Sequence, residues 1–132
     1  MRFSPALRLV AGIAAGTALA ATAAACVPAT KLPDDCSAPS VQREAVLSAD
    51  ALDPATIEVC RGQHVTITVD SQADGELHFH GLDQQVPEQE VTAGATLTVE
   101  FDADASGNFP IELHSPDGSS ETEVGTLVVN EP

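Results

Sequence analysis

Tryptophan and tyrosine are absent from this 132-residue sequence, and phenylalanine occurs only four times. Surfaces that stack sugars or single-stranded nucleic acid are built on aromatic faces, so both classes are disfavoured. Basic residues are also scarce: five Lys and Arg stand against 20 Asp and Glu, for a formal net charge of −15. Arg2 and Arg8 fall near the start, which leaves Lys31, Arg43 and Arg61 for the rest of the chain. Such a surface repels phosphate backbones and argues against nucleic acid as a partner. It attracts cations only diffusely, and its plainest consequence is solubility at a crowded cell surface. The one methionine is Met1, and no cysteine follows Cys60. There is no G-x-S-x-G segment, and Ser115 beside His114 would point to the opposite face of a strand. With no nucleophile constellation, the chain is not read as an enzyme.

What is present begins with a segment suited to export. "MRFSPALRLVAGIAAGTALAATAAAC" couples a short basic start to an uncharged, Ala-rich run from Leu9 to Ala25. This is the layout of a secretory signal peptide over residues 1–25. It is too rich in Ala and Gly for a permanent membrane helix, which needs about 20 strongly apolar residues. The "AAAC" ending at Cys26 resembles a bacterial lipobox, with Ala23 where such boxes usually carry Leu. The resemblance implies a lipid on Cys26 and a place at the outer face of the cell membrane. Plain cleavage after Ala25, giving a free secreted protein, is the alternative. Cys26, Cys36 and Cys60 make an odd number, and an exported chain favours paired thiols. Assigning Cys26 to lipid leaves Cys36 and Cys60 to pair, restricting the unfolded chain by about 3 kcal/mol. Residues 26–42 hold Pro28, Pro33 and Pro39 and few large apolar groups, and read as the lipidation site and a flexible tether. The domain proper is expected over 43–132, as a monomer, and nothing in it names a protein partner.

Beyond the tether the hydrophobic period is two. In "TIEVCRGQHVTITVD", Val65, Ile67 and Val69 alternate with His64, Thr66 and Thr68, the pattern of a half-buried strand. "ATLTVEFDA" sends Leu97, Val99 and Phe101 inward, and "NFPIELH" does the same with Phe109, Ile111 and Leu113. "GTLVVNE" closes the chain with a further strand, and "DSQADG", "TAG", "DADASGN" and "SPDGSS" supply turns. A short helical turn is expected between Pro87 and Val91, and no longer helical period is present. Seven or so short strands at this spacing predict an all-β sandwich.

The order of segments is similar to that of the cupredoxin family, in particular the small cupredoxin-like domains of bacterial exported lipoproteins. It is carried by "GQHVTITV", the histidine-bearing "ELHFHGLD", "VTAG", "GNFPIEL" and a final strand, over roughly residues 55–130. The resemblance implies a Greek-key β-sandwich. The copper ligands depart from the family pattern. Copper-binding members place a Cys where, counting from Gly107, this chain has Leu113, with a His and often a Met soon after. Thiolate and thioether are both missing, which argues against a blue-copper electron carrier. Only the upstream histidine segment corresponds, through His78 or His80.

Alternation puts Leu77 and Phe79 toward the core, so Glu76, His78 and His80 share the outer face. At two positions apart their Cβ atoms are about 6.5–7 Å apart, and two imidazoles so placed can reach one ion at about 2.0–2.1 Å. The same parity puts Glu112 and His114 on the outer face of "NFPIELH". The cupredoxin arrangement implies that this strand lies beside the histidine strand. His78, His80 and His114 would then meet at one point, with Glu112 or Asp83 as an oxygen donor. Three nitrogens and one oxygen suit Cu(II) or Zn(II). In the alternative reading the histidines are ordinary outward polar residues held by Glu76 and Glu112, and the sandwich is a metal-free interaction or structural domain at the cell surface. His64, on another strand, is set aside as a ligand. H-x-H also occurs in copper–zinc superoxide dismutases and H-x-H-G in multicopper oxidases, but both need further histidines that this chain lacks. "DADASGN" starts like a calcium loop at Asp102, Asp104, Ser106 and Gly107, yet Leu113 fills the twelfth position, and a strand-joining turn explains it better.

Overall fold

The computed structural model describes residues 31–132. The expected signal peptide and Cys26 lie outside the described residues. Among those described there are nine strands and no helix: β1 (Ser40–Leu47), β2 (Leu52–Asp53), β3 (Thr56–Cys60), β4 (His64–Ser71), β5 (Gly75–Phe79), β6 (Gln89–Val91), β7 (Thr96–Asp102), β8 (Gly107–His114) and β9 (Glu121–Asn130). They form a four-stranded sheet in the order β2-β1-β4-β7 and a five-stranded sheet in the order β3-β9-β8-β5-β6. The expected all-β sandwich is the architecture observed. The alternating residues explain why: Val65, Ile67 and Val69 of β4 face Leu77 and Phe79 of β5, Ile111 of β8 and Leu127 of β9 in one dry core, each at 1% exposure or less. Burying a side chain of this size is worth about 1.5–3 kcal/mol.

β1 is the strand that alternation announces least. Its inward positions are Val41, Arg43, Ala45 and Leu47, so a charge and a small residue interrupt the apolar stripe. Arg43 is accommodated at the sandwich margin. Its guanidinium donates to both carboxylate oxygens of Asp35 at 2.9 and 3.0 Å and to the Glu58 carbonyl at 2.8 Å. β1 pairs in parallel with β4 from Ser40 onward, so the sandwich begins inside the stretch read as a tether. Ahead of β1 the chain is also held. Cys36 is bonded to Cys60, with Cα atoms 5.2 Å apart. The buried Gln63 donates to the carbonyls of Asp35 and Ala38 while accepting from the Cys60 N–H.

Two local departures matter for the outer face of the five-stranded sheet. The helical turn expected over 87–91 falls earlier: the N–H groups of Gln85 and Val86 donate to the Leu82 carbonyl, and Gln89–Val91 extends as β6. β5 also enters unusually close to β8. A Cβ at Gly75 would sit 2.3 Å from the His114 carbonyl oxygen and 2.9 Å from Leu113 Cδ1, so only glycine admits this approach.

Candidate metal centre

β5 and β8 are antiparallel neighbours, with His78 opposite Glu112 and Glu76 opposite His114. Leu77, Phe79, Ile111 and Leu113 enter the core, and His78, Glu112 and His114 therefore stand on the outer face. On one side β6 pairs Gln89 with Leu77, which brings Glu88 alongside His78. On the other side β9 pairs Glu121 with His114 and Glu123 with Glu112. That second pairing depends on a β-bulge. Ile111 faces Gly125 but Glu112 faces Glu123, so β9 carries one extra residue, Val124. Under uniform alternation Glu121 and Glu123 would share the inward face of Leu127 and Val129. The bulge turns both glutamates outward and delivers Val124 to the core at 4% exposure.

Glu112 Oε2 is the hub of the resulting cluster. It lies 3.7 Å from His78 Nδ1, 3.8 Å from His114 Nε2 and 3.9 Å from His80 Nδ1. Glu88 Oε1 lies 3.4 Å from His114 Nδ1 and 3.9 Å from His78 Nδ1, and Glu121 Oε2 lies 3.6 Å from His114 Nε2. Most of these separations are too long for hydrogen bonds. They fall between about 3.3 Å, the donor spacing of a tetrahedral ion with bonds of about 2.0–2.1 Å, and about 4.1 Å, the widest two such donors can stand.

The side chains of His78, Glu112 and His114 are 13%, 17% and 21% exposed, whereas His80 is 64% exposed. Two imidazole nitrogens, His78 Nδ1 and His114 Nε2, are buried without a hydrogen-bond partner. Leaving such an atom unsatisfied costs about 1–3 kcal/mol. The other nitrogen of His78 is well held: Nε2 lies 2.5 Å from Asp83 Oδ1. An ionised carboxylate only accepts, so Nε2 donates its N–H to Asp83, and Nδ1 is the nitrogen turned toward the glutamates. That bond, followed by a backbone hydrogen bond from Asp83 itself, holds the Asp83 carboxyl below its ordinary value.

The rings of His80 and His114 flank His78, each with its centroid 5.5 Å away. Three overlapping triads have all donor atoms within 4.8 Å of one another: His78–His80–Glu112, His78–Glu88–His114 and Glu112–His114–Glu121. The structure thus draws His78, His80, His114 and Glu112 onto one sheet face. It arranges them in a row, and the three imidazoles do not form a single triad. The reason lies in the backbone. β5 ends at Phe79, the His80 N–H bonds to the Pro110 carbonyl, and the chain then turns at Gly81 with φ +89°, so the His80 ring leans out to solvent.

Glu88 and Glu121 complete two of the triads, and sequence reasoning passes over both. Glu88 sits in the stretch read as a helical turn, and Glu121 is turned outward only by the bulge. One local sign of that bulge is Gly125, where a Cβ would lie 2.8 Å from the Ala55 carbonyl oxygen. His64 belongs to the other sheet and bonds Asp102 at 2.8 Å. Leu113, where the resemblance places a thiolate, is 6% exposed and points into the core, away from the imidazoles. In the calcium-like turn, Asp104 accepts from Gln85 at 2.8 Å.

No protein-family model matches this chain, and no curated protein matches its sequence. Solved structures match its shape. A multicopper oxidase from Pseudomonas thermotolerans superposes with a TM-score of 0.53 at 17% identity, over 70% of this chain and 30% of that one. A copper binding protein in its apo form superposes at 0.55 and 14% identity, over 70% of this chain and 89% of that one. The metal binding domain of a Cu(I)-exporting P-type ATPase from Streptococcus pneumoniae gives 0.50 and 13% identity, covering 71% and 89%. The chain therefore spans under a third of the oxidase's length and most of the two smaller proteins. At such identities the likeness establishes the fold, which is cupredoxin-like.

Proposed function

We propose that this protein is an exported, lipid-anchored cupredoxin-like module that binds Cu(II) or Zn(II) on the outer face of its five-stranded sheet, through His78, His80, His114 and the glutamates between them. It is a binding module that captures, buffers or delivers the ion, and not an enzyme. One observation carries the reading: His78 Nδ1 and His114 Nε2 are buried, lack hydrogen-bond partners, and both face Glu112 Oε2. Buried nitrogens without hydrogen-bond partners among three carboxylates are unfavourable by themselves. A divalent cation on any of the triads would supply an imidazole nitrogen with a partner and give the carboxylates beside it a counter-charge. The donors are nitrogen and oxygen with no sulfur, which favours Cu(II) and Zn(II) over the softer Cu(I). Asp83 orients His78 from behind, as carboxylates behind ligating imidazoles commonly do. The copper-binding structures that share the fold support copper as the first ion to test.

The test is calorimetric titration of the full-length chain, purified in mild detergent, with Zn(II) and Cu(II). Saturable binding of one ion per chain is expected. The melting temperature should rise with ion concentration, by the equivalent of about 2.7 kcal/mol at a hundredfold excess over Kd. Absence of saturable binding, or unchanged binding by a His78→Ala/His114→Ala double variant, would overturn the reading in favour of a metal-free interaction domain.

A further inference from the structure

His78 offers a single donor to two triads. Its Nε2 is committed to Asp83, which leaves Nδ1 alone, 3.7 Å from Glu112 Oε2 on the His80 side and 3.9 Å from Glu88 Oε1 on the His114 side. One lone pair binds one ion. An ion on His78–His80–Glu112 therefore excludes an ion on His78–Glu88–His114, although the two positions nearly adjoin.

We infer that the triads are successive positions of one mobile ion, which enters at His80 and moves toward His114. This inference deepens the metal-binding reading and rests on it. Each step keeps part of the coordination. Passing from the first triad to the second retains His78 and exchanges His80 and Glu112 for Glu88 and His114. Passing from the first triad to the third retains Glu112. The ring centroids that bracket the first transfer are each 5.5 Å from that of His78, so the ion moves a short way and is never without a donor. Exposure drops from the solvent-facing His80 to the largely buried His78 and His114 and opens again at Glu121, the far end of the row. Every triad contains at least one carboxylate, so the cation keeps a counter-charge throughout. A row of incomplete positions holds an ion less tightly than a closed four-donor cage. That is the property needed to accept an ion at one end and release it to an acceptor.

The experiment loads sub-stoichiometric Cu(II) onto the full-length chain. Electron paramagnetic resonance reports the ligand set, calorimetry the stoichiometry, and stopped-flow mixing the loading rate. The expected result is one Cu(II) per chain with superposed signals, two from the two-imidazole triads that share His78 and one from the single-imidazole triad Glu112–His114–Glu121. His80→Ala should lose the signal of the first triad and His114→Ala those of the second and third, each with affinity lowered about tenfold, while His78→Ala, which takes a ligand from both two-imidazole triads and leaves only Glu112–His114–Glu121, costs about a hundredfold. Loading should slow in His80→Ala and stay near wild type in His114→Ala, whose ring is not at the entry. Circular dichroism of the ion-free variants verifies that each folds, as outer-face substitutions should permit. Two Cu(II) per chain, or one signal lost alike in all three variants, would overturn the row while leaving metal binding standing. No uptake by the wild-type chain would overturn both.

Discussion

Asp83 Oδ1 sits 2.5 Å from His78 Nε2, and through that contact an exposed carboxylate decides which nitrogen of a largely buried imidazole is free. The carboxylate accepts the Nε2–H and so turns Nδ1 toward Glu112 and Glu88. Replacing Asp83 by Ala frees the ring to turn and to exchange tautomers. Zn(II) affinity should fall about 10–100-fold. The ion-free melting temperature should also fall, because Asp83 is the partner of a largely buried imidazole nitrogen and leaving that nitrogen unsatisfied costs about 1–3 kcal/mol. Calorimetry and thermal melts on the same preparation separate the two effects. Unchanged affinity would mean that Asp83 does not orient the ligand.

Gly75 sets the approach of the two strands that carry the cluster. A Cβ there would meet the His114 carbonyl oxygen at 2.3 Å, and backbone cannot move aside as the end of a side chain can. Gly75→Ala should therefore destabilise the domain by about 2–4 kcal/mol, well beyond an ordinary surface change. It should also weaken Zn(II) binding, since His78 and His114 lie on the strands being pushed apart. Urea denaturation gives the first quantity and titration the second. A variant as stable as wild type would show that β5 does not need this close approach.

The sandwich is legible in the sequence because Val65, Ile67 and Val69, and then Leu77 and Phe79, alternate without interruption, and period two admits one assignment of faces. The same parity places His78, Glu112 and His114 outward. β1 is less legible because Arg43 occupies an inward position, and only its partners Asp35 and Glu58, distant in sequence, make that tolerable. Glu121 is hidden by one extra residue: without the bulge at Val124 it would face the core. The row in place of a point follows from where β5 stops. Strand parity carries His80 to the same face as His78, but parity lapses at Phe79, and the turn at Gly81 re-aims the ring. Periodicity thus reports faces reliably and says little about strand ends and bulges, where the geometry of this cluster is set.

Cys26 lies outside the described residues, and its role is open to direct test. The signal-like segment and the "AAAC" sequence are the grounds on which a lipid is proposed for that cysteine. Cys26→Ser should move the protein from the membrane fraction to the soluble exported fraction. Folding should be unaffected, because the disulfide uses Cys36 and Cys60. Fractionation followed by immunoblotting reads the first outcome, and a melt of the released protein the second. Retention of the serine variant on membranes would count against lipidation.

Two carboxyls away from the histidines shape the response to acid. The Asp117 carboxylate accepts hydrogen bonds from the hydroxyls of Ser119 and Ser115 and from the Ser119 N–H, which bring its pKa down to about 2. Asp35, paired with the Arg43 guanidinium, is also held below the ordinary value of 3.8. A folded-state pKa below the unfolded one means that the native state favours the ionised form. The stability these groups contribute is therefore complete above the unfolded value and is lost as pH falls through the folded one. For Asp117 the window runs from 3.8 down to about 2. Asp117→Ala removes the acceptor, so the variant should melt below wild type at pH 6. The gap should narrow as both are acidified, and close near pH 2, where the wild-type carboxylate is itself becoming protonated. Thermal melts by circular dichroism from pH 6 to pH 2 test this. A gap that stays constant over that range would show that the hydroxyl cage around Asp117 does not act through its charge.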